Sequence, residues 1–166
     1  MNIRKSNSHD IDDMMHIFHQ AQAYFKNHNI DQWQNNYPNI EQIQNDQSKN
    51  CSYVIEDEHI VGTMFFANEI DHNYDHIEGQ WKINYTDYAV IHRIAIADEY
   101  KGHAVAKQLL DFAVEICHQN NIQSIRIDTH LDNLSMQKFL TKNGFQFCGN
   151  ISLENGDPRI AFEKVL

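Results

Sequence analysis

The segment with the most chemical content runs Ile94-Ala95-Ile96-Ala97-Asp98-Glu99-Tyr100-Lys101-Gly102-His103-Ala104-Val105-Ala106. Its first residues have strand character, a turn of small residues follows, and from His103 the apolar spacing becomes helical. The first N–H groups of a helix have no intrahelical partner and lie at the positive end of its dipole, so such a junction attracts anions. Gly102, Ala104 and Ala106 carry little or no side chain, which lets backbone amides close on a diphosphate, and Lys101 adds a cation. Just upstream, His92 and Arg93 share the same β-type run; an imidazole, with an ordinary pKa near ~6.5, suits a general base. Strict alternation along a strand would point these two side chains to opposite faces. Asp128 and His130 close a second β-type run and could orient each other or a bound acceptor.

Other groups have two readings each. Trp33 and Tyr37, beside Pro38, could form an aromatic wall for an apolar or cationic ligand, or could pack an ordinary core. His72-Asn73-Tyr74-Asp75-His76 offers metal-type donors at i and i+4. It falls in an expected loop with no third fixed ligand, so no metal site is assigned and a polar, acidic, substrate-side loop is preferred. Cys51, Cys117 and Cys148 are far apart and odd in number, which argues against a disulfide framework or a thiolate zinc site.

The elements that must position these residues are legible in the pattern. Ile3 to Lys5 reads as a strand. A helix follows Ser8, with Ile11, Met14, Met15, Phe18, Ala21 and Phe25 on one face. A short helix starts after Pro38-Asn39. Cys51 to Glu56 and Ile60 to Ala67 read as a hairpin. Asn68 to Asp87 is a polar, aromatic-dotted insertion. Tyr88 to Ala97 is a β run, and a helix with a Val105/Leu109/Ala113/Ile116 stripe follows. Ser124 to Asp128 is a strand, and Asp132 or Asn133 caps a helix that ends near Gly144. Phe145 to Leu153 and Arg159 to Val165 flank an Asn155-Gly156 turn. Strands and helices in this order make a mixed α/β sheet with helices on both faces.

The chain has 166 residues and a formal net charge of −10. That length suits one domain, residues 1–166. The acidic field repels nucleic-acid backbones and favours a cationic partner such as an amine. No apolar run reaches the ~20 residues of a membrane span, and the N-terminus lacks a secretory h-region, which points to the cytoplasm and away from membranes.

Lys101-Gly102-His103-Ala104-Val105-Ala106 resembles the Arg/Gln-x-x-Gly-x-Gly/Ala signature of the GNAT acetyltransferase family, with Lys101 and Ala104 as departures. Ile125-Arg126-Ile127-Asp128-Thr129 is similar to the family's next strand. Asn133-x-x-Met136-x-x-Phe139-Leu140-x-Lys142-x-Gly144-Phe145 is similar to its following helix and exit. The resemblance implies a mostly antiparallel central sheet and an acetyl-CoA-dependent N-acetyltransferase working on an amine acceptor, as monomer or homodimer. It further implies that Ile94, Ala95 and Ile96 pair with pantetheine as an added strand. Lys101 to Ala106 (Lys101, Gly102, His103, Ala104, Val105 and Ala106) would hold the diphosphate. Asn133 and Phe139 would contact the cofactor arm. His92, Asp128 and His130 become catalytic candidates, and Trp33, Tyr37 and Arg93 acceptor-side candidates. The family's tyrosine acid is replaced by Leu140, which cannot donate a proton. A non-catalytic acyl-CoA sensor is therefore the alternative reading, and a small metal-binding domain resting on the histidines is a third.

Overall fold

In the computed structural model, which describes every residue except Tyr85, Asn7 opens the first helical segment. The Asn7 side chain accepts from the His9 N–H at 2.9 Å, and Asp10 accepts from the Asn7 N–H at 2.8 Å, a reciprocal cap. A single 3-10 turn, Ser8–Asp10, leads into α1, Ile11–Asn27, which buries Met14, Ile17, Phe18 and Phe25. Asn39 caps α2, Ile40–Ser48, by accepting from the Gln42 N–H at 2.9 Å. Helix α3 is Val105–Gln119 and helix α4 is Leu134–Lys142, with Asn133 accepting from the Met136 N–H at 3.1 Å. In α3 the buried row is Val105, Leu109, Ala113 and Cys117, with Leu110 beside it; Ile116 lies at the flank, half-buried. The i, i+4 row thus carries on to a cysteine where the hydrophobic pattern favoured isoleucine.

The strands are β1 Asn2–Lys5, β2 Ser52–Glu56, β3 Ile60–Ala67, β4 Glu78–Gly79, β5 Ala89–Ile96, β6 Ser124–Thr129, β7 Gln146–Ser152 and β8 Pro158–Val165. They hydrogen-bond in the order β1-β2-β3-β5-β6-β8-β7-β4. The β1–β2, β2–β3, β4–β7, β6–β8 and β7–β8 pairs are antiparallel, and β5–β6 is parallel. This is the mixed α/β sheet expected from the order of elements, mostly antiparallel as the resemblance implies. Every residue of β3 is buried, which is why that strand is apolar throughout except for Thr63, whose hydroxyl donates to the Tyr53 carbonyl at 3.1 Å.

The described residues form two compact units: Met1–Phe66 with His92–Ala113, and Ala67–Ile91 with Val114–Leu166. The first has a core of Met14, Ile17, Phe18, Ile43, Val54, Ile60, Ala95 and Ala97. Removing one of its larger side chains, as in Ile17→Ala, costs about 2–5 kcal/mol because a cavity remains. In the second, Ile125, Ile127, Leu140, Phe145, Ile151, Ile160 and Phe162 are buried. Among the described residues no helix is long and apolar enough to cross a membrane.

Candidate functional site

The first unit holds the strand-to-helix junction. After β5, a 3-10 turn at Asp98–Tyr100 leads to an exposed stretch, Lys101 to Ala104. Gly102 has φ +82° and Ala104 has φ +59°, so two residues of this stretch are left-handed. Glycine adopts that region freely, whereas alanine there costs roughly 1–2 kcal/mol. The Ala104 carbonyl accepts from the Gln108 N–H at 3.0 Å, the first bond of the helix. The amides of Val105, Ala106 and Lys107 are therefore the helix's unpaired first donors. A side chain at Gly102 would meet nothing within 4 Å, so the space in front of the turn is open. Unpaired first amides, an exposed turn ahead of them and the positive end of a fifteen-residue helix together fit a diphosphate. The Lys101 ammonium pairs with Asp98 and lies 5.0 Å from the centre of the Tyr24 ring. His103 packs its ring edge against Tyr100 at 6.4 Å.

Strand β5 does not alternate as expected. Arg93 has φ +49°, a left-handed residue inside a strand, so the side-chain period breaks there. As a result His92 and Arg93 meet the same neighbour instead of opposite faces. The His92 ring stacks on Phe65 at 5.7 Å, and the Arg93 guanidinium lies 4.7 Å from the centre of that ring. Arg93 forms a two-pronged pair with Asp46, Nε to Oδ2 and Nη2 to Oδ1, both 2.8 Å, and its Nη1 donates to the Tyr37 hydroxyl at 2.9 Å. The acceptor-side candidates Tyr37 and Arg93 are thus joined directly. Trp33 instead packs edge-on against Phe18 at 5.6 Å and Phe25 at 5.5 Å, beside the core. Beyond the kink, Ala95 is buried while Ile94 and Ile96 are half-buried.

The second unit holds Asp128, His130, Asn133 and Phe139. Asp128 is half-buried near the end of β6, and its Oδ2 accepts from the Tyr74 hydroxyl at 2.8 Å. The Asp132 N–H donates to His130 Nδ1 at 3.0 Å. An Nδ1 that accepts leaves the imidazole proton on Nε2, so His130 in this tautomer spends its ring lone pair on the turn into α4. Asn133, also buried, caps α4 as described above. The Phe139 carbonyl accepts from the backbone and the side chain of Asn143 at the other end of that helix. Leu140, at the tyrosine position of the resemblance, is 1% exposed and belongs to the core.

The insertion is the part sequence reasoning undervalued. It is a built element of the second unit. Tyr74 is 2% exposed, and its ring centre lies 5.2 Å from that of Trp81 and 6.4 Å from that of Tyr88. Trp81 Nε1 donates to the Tyr74 carbonyl at 3.1 Å. The Arg126 guanidinium stacks on Trp81 and Tyr88 at 4.2 and 4.0 Å and pairs with Glu163, which is fully buried. Glu163 also accepts from the N–H groups of Lys82 and Ile83. The available signal was Tyr74 and Trp81 within a mostly polar run and Tyr88 just after it, since large aromatics seldom stay exposed in such number. His72, by contrast, is exposed and hydrogen-bonds only locally, to Asp75 at 2.9 Å.

The model of the family described as acetyltransferase (GNAT) matches residues 12–145. The chain is 31% identical to a GNAT-family acetyltransferase from Streptococcus agalactiae whose crystal structure is known, with 99% of this chain and 95% of that one covered and a TM-score of 0.89. It is 20% identical to a GNAT-family acetyltransferase from Staphylococcus aureus, covering 99% of this chain and 98% of that one, with a TM-score of 0.71. A likeness of fold extends to the PaiA N-acetyltransferase of Thermoplasma acidophilum, solved in complex with coenzyme A, at 18% identity, 99% and 98% coverage and a TM-score of 0.72. No curated protein matches the sequence.

Proposed function

Because the chain belongs to the GNAT acetyltransferase family, and so to the acetyl-CoA-dependent N-acetyltransferases, we propose that the segment Lys101 to Ala106, an exposed turn and the first residues of α3, grips the diphosphate of acetyl-CoA and that the acetyl group passes directly to an acceptor amine. The observation that carries this is the pair of left-handed residues, Gly102 and Ala104, which open the first amides of α3 to an anion. Acetyl-CoA supplies an activated thioester. Ile94, Ala95 and Ile96 offer backbone groups to the pantetheine, and one of their N–H groups takes the charge that develops on the carbonyl oxygen. Asn133 and Phe139 belong to the same reading as contacts to the cofactor arm.

The acceptor must first lose a proton, since a lysine-like amine has a pKa of about 10.4. His92 in the first unit and Asp128 in the second are the candidate bases. His130 is the weaker one, because its accepting nitrogen is engaged by Asp132. Tyr37, Arg93 and Trp33 remain assigned to the acceptor side. Neither buried thiol suits a covalent acyl-enzyme: burial pushes Cys117 up to about 12 and also raises Cys148, so both stay protonated. Departure of a thiolate needs little acid, since thiols ionise near ~8.5, so Leu140 is no obstacle to turnover.

The test is steady-state release of CoA with a panel of amines: lysine, a polyamine, an amino sugar and a short peptide with a free N-terminus. Gly102→Val forces a β-branched residue to φ +82° and should raise the KM for acetyl-CoA roughly 5- to 30-fold, equivalent to about 1–2 kcal/mol. An unchanged KM would remove the diphosphate from this turn. His92→Ala and Asp128→Asn, measured separately, should each show in kcat if the residue takes the proton.

A further inference from the structure

Resting on the assignment of Asp128 as a candidate base, we infer that Tyr74 is a positioning residue that holds the Asp128 carboxylate in its working orientation through its buried hydroxyl. Three independent features meet at this phenol. Its oxygen donates to Asp128 Oδ2 at 2.8 Å. Its ring is shut in by Trp81 and Tyr88 and is 2% exposed. Its backbone is fixed on both sides: Asp71 caps the turn His72–Tyr74 by accepting from the Asn73 N–H at 2.9 Å, and the Trp81 indole donates to the Tyr74 carbonyl.

The chemistry runs one way. Burial first, and then the nearby carboxylates of Asp128 and Asp71, push the phenol well above its ordinary value, so it stays protonated and can only donate to the carboxylate. The charged and titratable groups around it are Asp128 on β6, Asp71 ahead of the turn, Tyr88 just before β5, and Arg126, which lies on the faces of Trp81 and Tyr88. A neutral donor of this kind stabilises the carboxylate over the carboxylic acid and fixes which oxygen is presented. The polar insertion thus has a stated task. Its aromatic cluster, pinned by the Arg126–Glu163 pair, carries one hydroxyl to the end of β6.

The experiment uses the full chain with Tyr74→Phe, which keeps the ring and removes the oxygen. Carbon-13 aspartate labelling follows the Asp128 carboxyl by NMR, its signal identified by its loss in Asp128→Asn. The titration midpoint of Asp128 should rise by roughly half a unit to one unit, the size of one net hydrogen bond. With the panel amine of highest turnover, kcat should fall about tenfold, with its pH profile displaced in the same direction and the KM for acetyl-CoA unchanged. Monofluorotyrosine at position 74, a stronger donor of nearly the same shape, should move the Asp128 midpoint down and serves even if Tyr74→Phe folds poorly. An Asp128 midpoint indifferent to both replacements overturns the inference, whatever happens to kcat. Wild-type turnover in Asp128→Asn sinks the assignment on which it rests. Loss of turnover in Asp128→Asn alongside normal kcat in Tyr74→Phe sinks only the role of Tyr74.

Discussion

Arg93 and Arg126 meet the same two kinds of partner, a buried carboxylate and an aromatic face, yet they brace different things. Arg93 lies over Phe65 and grips Asp46 with both prongs; it also donates to the Tyr37 hydroxyl, and Asp46 in turn accepts from the side chain of Gln42. Arg126 lies over Trp81 and Tyr88 and pairs with Glu163, but this pair also binds main chain: Glu163 accepts from Lys82 and Ile83, and Arg126 donates to the Ile83 carbonyl at 2.9 Å. One pair ties side chains around a kinked strand. The other clips a loop in place by its peptide groups. Exposure follows the same order, 6% and 0% for Arg126 and Glu163 against 12% and 7% for Arg93 and Asp46, so desolvation weighs more on the loop clip.

The loop clip should therefore give the largest effect. Glu163→Ala leaves a buried guanidinium and two main-chain donors without their acceptor, and should cost about 3–5 kcal/mol, or roughly 6–20 °C in Tm for a chain of this length. Calorimetry or dye-monitored melting reads it. The sharper test is the double replacement Arg126→Met/Glu163→Leu. An isolated buried ion pair exchanged for apolar residues is often nearly neutral. Here the peptide groups of Lys82 and Ile83 lose their partners as well, so the double variant should remain well below the parent. Recovery to parental stability would show that the main-chain contacts contribute little.

The strand brace should respond less and differently. Asp46→Ala should cost about 2–4 kcal/mol, whereas Arg93→Met/Asp46→Leu, which strands only side chains that can rearrange, should recover most of that. Arg93 also carries backbone strain at φ +49°. Arg93→Gly should consequently be more stable than Arg93→Ala by about 1 kcal/mol, although both lose the ion pair. Equal stability of the two would mean that the left-handed residue relaxes once the side chain is gone, and that Arg93 holds the kink rather than tolerating it.

The same contrast explains what was legible in the sequence. Capped helices, the two hairpins and the small-residue turn are local devices: Asn39, Asn133 and Gly102 each act within a few residues of their own position, and a pattern reader finds them. The small-residue turn from Lys101 to Ala104 stands out in the sequence for that reason. The Arg93–Asp46 and Arg126–Glu163 pairs span 47 and 37 residues and leave no periodic trace. The kink at Arg93 is invisible because arginine has no preference for φ > 0, so strict alternation, with His92 and Arg93 on opposite faces, is the natural expectation. Tyr74 was passed over within a run that drew notice for its histidines. Its neighbour in space, Asp128, is 54 residues away. The turn before α3 can be read from residue types as one suited to an anion, whereas the Tyr74–Asp128 contact is assembled by tertiary packing.

A third arginine pair extends the series toward solvent and should give the smallest effect. Arg4 donates to Asp10 from Nη1 and Nη2 at 2.8 and 2.9 Å, with the arginine side chain 32% exposed. Those hydrogen bonds hold the Asp10 carboxyl below its usual range, against an opposing effect of burial. A carboxyl depressed in the folded state contributes stability above its unfolded pKa, near ~3.9, and loses that contribution as pH falls through the lower folded value. Asp10→Asn keeps an acceptor for the Asn7 N–H but removes the charge. It should cost about 1 kcal/mol near neutrality, discounted for the wetter setting. The gap between parent and variant should be flat from pH 7 to about 5, narrow below about 4 and then close. A gap that persists undiminished into strong acid would assign the loss to the reciprocal cap at Asn7, and the ordering of the three pairs by exposure would then reflect local geometry instead of desolvation.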